Sequence, residues 1–167
     1  AVPLLLPLSA WLAHSEGQGH WFWLPFMVLF VGVPVLDTLF GEDPTNPGPG
    51  DVAVLARDPW YRNVLFAAVF THWLGVLVLA AALSSADWAW HSILGAAMGA
   101  GGINGLALLV GHELGHKTRD PLQCAMASLE LALTSYCHFS NEHNDGHHKQ
   151  VSTPEDSASA RYGESIY

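Results

Sequence analysis

Residues 88–117 read WAWHSILGAAMGAGGINGLALLVGHELGHK, a run with no Asp, Glu, Lys or Arg before Glu113 that closes on two histidines, His112 and His116. A helix needs about 20 residues to cross the hydrocarbon core of a bilayer, so Trp88 to Gly111 is long enough to span. Residues four apart share a helix face, and His112 and His116 therefore offer two imidazoles to one metal at the end of that span. A second cluster, Glu142-His143-Asn144-Asp145-Gly146-His147-His148, repeats the spacing with His143 and His147 and sets His148 beside them. Five of the ten histidines fall in these two clusters, a pattern that points to a polyhistidine metal centre.

The rest of the chain agrees with a membrane setting. Half of the 167 residues are hydrophobic, only 13% are charged and seven are Trp, which is unlike a soluble domain of this length. Two further apolar stretches are long enough to span: Trp21 to Phe40, with Asp37 near its end, and Asn63 to Leu83, whose one ionisable residue is His72. His72 is costly against lipid and is expected to face the bundle interior, and Asn104 likewise. A fourth stretch, Val2 to Ala13, is too short. With neither a basic flank before it nor a cleavage site after it, it reads as the second half of a spanning helix rather than a signal-peptide core, and the chain is expected to be a fragment.

All six Lys and Arg lie in two places: Arg57 and Arg62 between the stretches Trp21 to Phe40 and Asn63 to Leu83, and Lys117, Arg119, Lys149 and Arg161 after Trp88 to Gly111. The positive-inside rule then puts the histidine clusters on the cytoplasmic face, and Trp21, Trp23, Trp88 and Trp90 form an aromatic belt at the opposite interface. The formal net charge of −9 is a poor match for nucleic acid, which needs a basic stripe. Cys124 and Cys137 belong to no Cys-x-x-Cys pair and read as small apolar residues.

Gly41 to Asp51, rich in Pro, Gly, Asn and Asp, reads as a loop. Asp120-Pro121 makes an N-cap and first turn, and Leu122, Met126, Leu129 and Leu133 follow at helical spacing, as in an amphipathic interfacial helix. A straight helix from Pro121 to His148 separates the two clusters by about 40 Å at 1.5 Å per residue. A shared site therefore needs a bend, and Thr134 to Asn141 is poorest in strong helix formers.

His112-Glu113-Leu114-Gly115-His116 also satisfies the zinc-protease pattern H-E-x-x-H, with Glu113 as general base. A zinc-dependent membrane metalloprotease is the alternative reading. The extended metzincin form needs Gly and His where this chain has Arg119 and Leu122. Three more histidines also exceed what one catalytic zinc uses. Glu113 and Glu142 are candidates to accept the free ring N–H of a ligand histidine, and His138 and Asp37 are further candidates to touch the ligands. Glu113 has an equally plain role as the helix-surface partner of Lys117.

The HELGHK run at 112–117 and the EHNDGHH run at 142–148 resemble the integral-membrane alkane 1-monooxygenases, within the wider group of membrane di-iron desaturases and hydroxylases. Val151, Thr153-Pro154, Asp156, Arg161, Gly163-Glu164 and Tyr167 continue the likeness, and Leu36-Asp37, Gly41-Glu42-Asp43, Asn46-Pro47 and Asn104-Gly105-Leu106-Ala107 extend it upstream. It covers essentially the whole chain. Ser140-Asn141 departs from the aromatic or aliphatic pair expected before Glu142.

The resemblance implies an all-α integral membrane fold, a six-helix transmembrane bundle with a cytoplasmic di-iron cap held by nine histidines. On that likeness, residues 1–167 are expected to be one partial membrane hydroxylase domain of that fold. Five ligands carry over: His112, His116, His143, His147 and His148. The remaining four come from later motifs, so the isolated chain is expected to hold metal weakly and to be inactive. The implied reaction is terminal hydroxylation of n-alkanes by O2 at two iron ions, with electrons from rubredoxin and its reductase, in the bacterial inner membrane.

Overall fold

The computed structural model describes residues 2–41, 43–156 and 158–165 and is all-helical over them. Glu42 and Tyr167, two of the residues that carry the likeness above, lie outside the described residues. A short 3-10 turn, Val2–Leu4, leads into α1 (Leu5–Glu16), and Gly17 at φ +64° closes it in the left-handed conformation that favours glycine. Helix α2 (Gly19–Phe40) is continuous but passes through 3-10, α, π and α geometry. The loop that follows ends sooner than its composition predicts. A short helix α3 (Pro49–Leu55) begins where the Asp51 carboxylate accepts the Gly48 N–H, at 3.3 Å.

Helices α4 (Pro59–Ser84) and α5 (Trp90–Gly115) have 26 residues each, about 39 Å at 1.5 Å per residue. Together with α2 they are three helices long and apolar enough to cross a membrane. Large apolar side chains on them stand open, with Leu39 and Phe40 at 73% and 82% exposure and Leu109 at 63%. In water such surface is a liability; against lipid it is the ordinary state of a spanning helix. The Asp58 carboxylate caps α4 by accepting the Trp60 N–H at 2.8 Å.

The chain forms two compact units, 1–107 and 108–167, and the boundary falls inside α5. In the first unit α1 packs on α4, where Gly75 leaves room for Leu6 and Pro7. The core gathers Leu6, Ala10, Ala13, Phe22, Leu79, Ala82, Ala96 and Ile103, and Phe22 meets Trp88 edge to face at 5.0 Å. Helix α2 lies against a face of α5 marked by Gly95, Gly99 and Gly102, opposite Trp23, Pro25, Leu29 and Phe30. Small residues let spanning helices approach closely where lipid removes the hydrophobic drive to associate. His72 is buried in α4, as its cost against lipid requires.

In the second unit the end of α5 packs on α6 (Pro121–Ala132), with Leu114, Ala127 and Leu131 buried and Gly111 giving way to Leu131. The Asp120 carboxylate caps α6 through the N–H groups of Leu122 and Gln123, at 3.0 and 3.2 Å, the start expected from Asp120-Pro121. The chain then turns, with Ser135 at φ +58°, and returns as the helical segment 139–150, here α7. The bend lies in the stretch where helix formers are weakest.

Replacing Gly95 by Ala places a Cβ about 2.6 Å from the Trp23 indole, which donates to the His91 carbonyl at 3.1 Å. Overpacking of this kind costs about 1–3 kcal/mol. Gly95→Ala is expected to lower the thermal unfolding midpoint in detergent and alter Trp fluorescence, whereas Gly101→Ala, with open space around its Cβ, leaves both unchanged.

Candidate metal centre

His112 and His116 lie on successive turns at the end of α5, and their rings are 4.5 Å apart. Helix α7 supplies the other half of the site. Its middle, Glu142–His147, is a π-helical turn, and hydrogen bonds to the fifth residue displace the register that an α-helix keeps. His143 is thereby matched with His148 rather than with His147: their Nε2 atoms are 3.0 Å apart. His112, His116, His143 and His148 each bring one ring nitrogen into a group whose members all lie within 4.8 Å of one another. His147 is not part of that group, although its ring stacks 5.3 Å from that of His143.

Asn144 ties the two helices together. Its Nδ2 donates to the carbonyls of Gly115 at 3.0 Å and Ser140 at 2.8 Å. With the amide nitrogen so engaged, Oδ1 faces His116 Nδ1 at 3.2 Å and accepts its N–H. His116 then keeps its lone pair on Nε2. Gly115 permits the approach, since a Cβ there would meet Ser140 Oγ at 2.6 Å. Ser140, which departs from the larger pair expected at 140–141, is thus small where smallness is needed.

Phe139 stacks on His143 at 4.9 Å and meets His112 edge-on at 5.6 Å, forming an apolar wall to the cluster. Burial, and secondarily the neighbouring His112, His148, His116 and His147, lower the pKa of His143 from 6.5 to about 4, so its ring is neutral and available at physiological pH. The buried Asp156 carboxylate contacts His147 Nδ1 at 2.8 Å and accepts from Ser159 Oγ at 2.5 Å and the Ala158 N–H at 3.0 Å. The Ser159 hydroxyl, followed by the Ala158 N–H and the His147 ring, holds its carboxyl below the ordinary range against the opposing effect of burial.

The other candidates lie elsewhere. Glu113 pairs with Lys117 at 3.4 Å and Glu142 with His138 at 3.8 Å, all four being exposed. Asp37 is exposed in the last turn of α2, where its carbonyl accepts the Gly41 N–H. Cys124 and Cys137 are free thiols. Asn144, Asp156 and Phe139 are contacts that the histidine spacing does not reveal. The polar residue inside the second cluster and the Asp beyond Thr153-Pro154 are the signals that point to the first two.

No family model matches the chain. It is 40% identical over 160 residues to the alkane 1-monooxygenase of Ectopseudomonas oleovorans, a match that covers 96% of this chain and 40% of that protein. It is 39% identical to the alkane 1-monooxygenase of Pseudomonas putida and 38% identical to alkane 1-monooxygenase 1 of Alcanivorax borkumensis, again over 96% of this chain. Over nearly its whole length the chain is similar to alkane 1-monooxygenases. The chain spans about two fifths of the length of these relatives. An imidazole set suits iron, copper, zinc or nickel, so the donors here fit the iron expected of an alkane monooxygenase without selecting it.

Asn144→Ala removes both carbonyl contacts and the acceptor of His116 Nδ1, and is expected to cost about 1–3 kcal/mol in unfolding free energy and to weaken metal binding, read by thermal melting and by metal titration. For His143 the depressed pKa sets the sign of a pH effect. The unfolded ring titrates near 6.5 and the folded ring near 4, so the unfolded state binds the proton first as the pH falls. The metal-free protein is expected to lose stability as the pH drops from about 6.5 towards 4, with the His143 ring of the folded protein staying neutral in NMR titrations down to about pH 4.

Proposed function

We propose that these residues contribute His112, His116, His143, His147 and His148 to a two-iron centre in an enzyme that hydroxylates the terminal carbon of n-alkanes with O2. The observation that carries the reading is the convergence of four imidazole nitrogens within 4.8 Å, in a chain similar throughout to alkane 1-monooxygenases. Bound iron supplies the oxygen-activating redox chemistry that an unactivated C–H bond requires.

The protein's own side chains do the rest. The imidazoles hold the metals, with Asn144 fixing the His116 ring. Phe139 screens His112 and His143 from water, which protects a reactive site from side reactions. The site follows directly on the apolar α5, so an alkane dissolved in the bilayer reaches it from the lipid side. Electrons arrive from rubredoxin and its reductase on the cytoplasmic side of the bacterial inner membrane, the face that the Lys and Arg distribution assigns to the clusters.

The zinc-protease reading has less support. Glu113, its general base, stands exposed against Lys117, and four imidazoles leave a tetrahedral zinc no open position.

Metal analysis and turnover of the full-length protein test the proposal. About two irons per chain, with O2-dependent conversion of octane to 1-octanol when rubredoxin and reductase are supplied, is the expected result. One zinc per chain that persists when His143, His147 and His148 are replaced by Ala would overturn it.

A further inference from the structure

His147 stands apart from the group of four, yet its ring is the one held by a buried carboxylate. Asp156 is 5% exposed, and each of its oxygens is engaged: Oδ1 by the Ala158 N–H, Oδ2 by the Ser159 hydroxyl and by His147 Nδ1. Ser159 Oγ in turn accepts the Ser152 N–H at 3.1 Å, which closes the loop after α7 around the carboxylate. An ionised carboxylate only accepts, so the ring donates through Nδ1, and the neutral ring then carries its lone pair on Nε2. Asp156 lies nine residues beyond His147 and belongs to neither histidine cluster.

We propose that Asp156 is a positioning residue that fixes His147 in the Nδ1–H tautomer and presents its Nε2 to a metal. The inference rests on the reading of His147 as a ligand. It accounts for a fifth histidine that the π-turn leaves outside the converging group: that ring, stacked on His143, is also held by a carboxylate of its own. Carboxylates that grip the distal nitrogen of a ligand imidazole fix its tautomer and raise its basicity, and losing one typically weakens metal binding by about 10–100-fold.

Nitrogen-15 NMR of the metal-free full-length protein, with the His147 signal assigned by its loss in His147→Ala, reads the tautomer directly. The wild type is expected to show Nδ1–H. In Asp156→Asn the amide can offer its NH2 to the ring, so the signal shifts toward Nε2–H and the iron affinity falls by about 10–100-fold. Ser159→Ala, which loosens the loop but leaves the carboxylate on His147, should keep both the wild-type tautomer and the wild-type affinity.

A wild-type Nε2–H tautomer overturns the inference whether or not any variant folds. So does a Ser159→Ala loss equal to that of Asp156→Asn, which would reduce Asp156 to a loop contact. If His147→Ala loses iron while Asp156→Asn does not, the positioning role alone fails. If His147→Ala binds iron as tightly as the wild type, the ligand reading fails and takes the inference with it.

Discussion

The candidate site depends on the three contacts that the Asn144 side chain makes across the second unit. A helix end has carbonyls with no partner in the next turn. Asn144 Nδ2 takes up one of these, that of Gly115, while holding the Ser140 carbonyl of its own helix. The same side chain then meets His116 through Oδ1. One amide thus docks α7 on the end of α5 and selects which nitrogen His116 presents. The docking is possible because the residue between Leu114 and His116 is glycine, and because residue 140 is no larger than serine.

The histidines impose a constraint of their own. Burial penalises a charge on these rings, and rings gathered this closely also repel one another when protonated, which is why His143 is held neutral down to about pH 4. Without a metal, the cluster loses stability as the pH falls below about 6.5, where the unfolded rings take up protons more readily than the folded His143 does. Neutral imidazoles keep their lone pairs free, so the cluster could accept a cation.

Much of the fold was legible because lipid imposes simple rules. Apolar runs of sufficient length with almost no charge marked α2, α4 and α5, and the Asp120-Pro121 pair marked the start of α6. The pairing of His112 with His116 followed from helical spacing, and the ring distance reflects it. The second cluster was harder. Spacing by four pairs His143 with His147, but the π-turn over Glu142–His147 brings His148 to His143. A π-turn arises from the balance of contacts around it and leaves no periodic trace in the sequence. Asp156 and Asn144 were obscure for a different reason: each acts through a fold-dependent contact, and neither shares the residue type that makes the clusters visible.

Metal-edge X-ray absorption of the iron-loaded full-length protein tests the central claim most directly, since it counts the imidazoles bound and measures their distance. The expected spectrum shows imidazole scattering from nitrogens at about 2.1 Å, losing amplitude when His143 and His148 are replaced by Ala. A spectrum without imidazole scattering, or one that those replacements leave unchanged, would contradict the account.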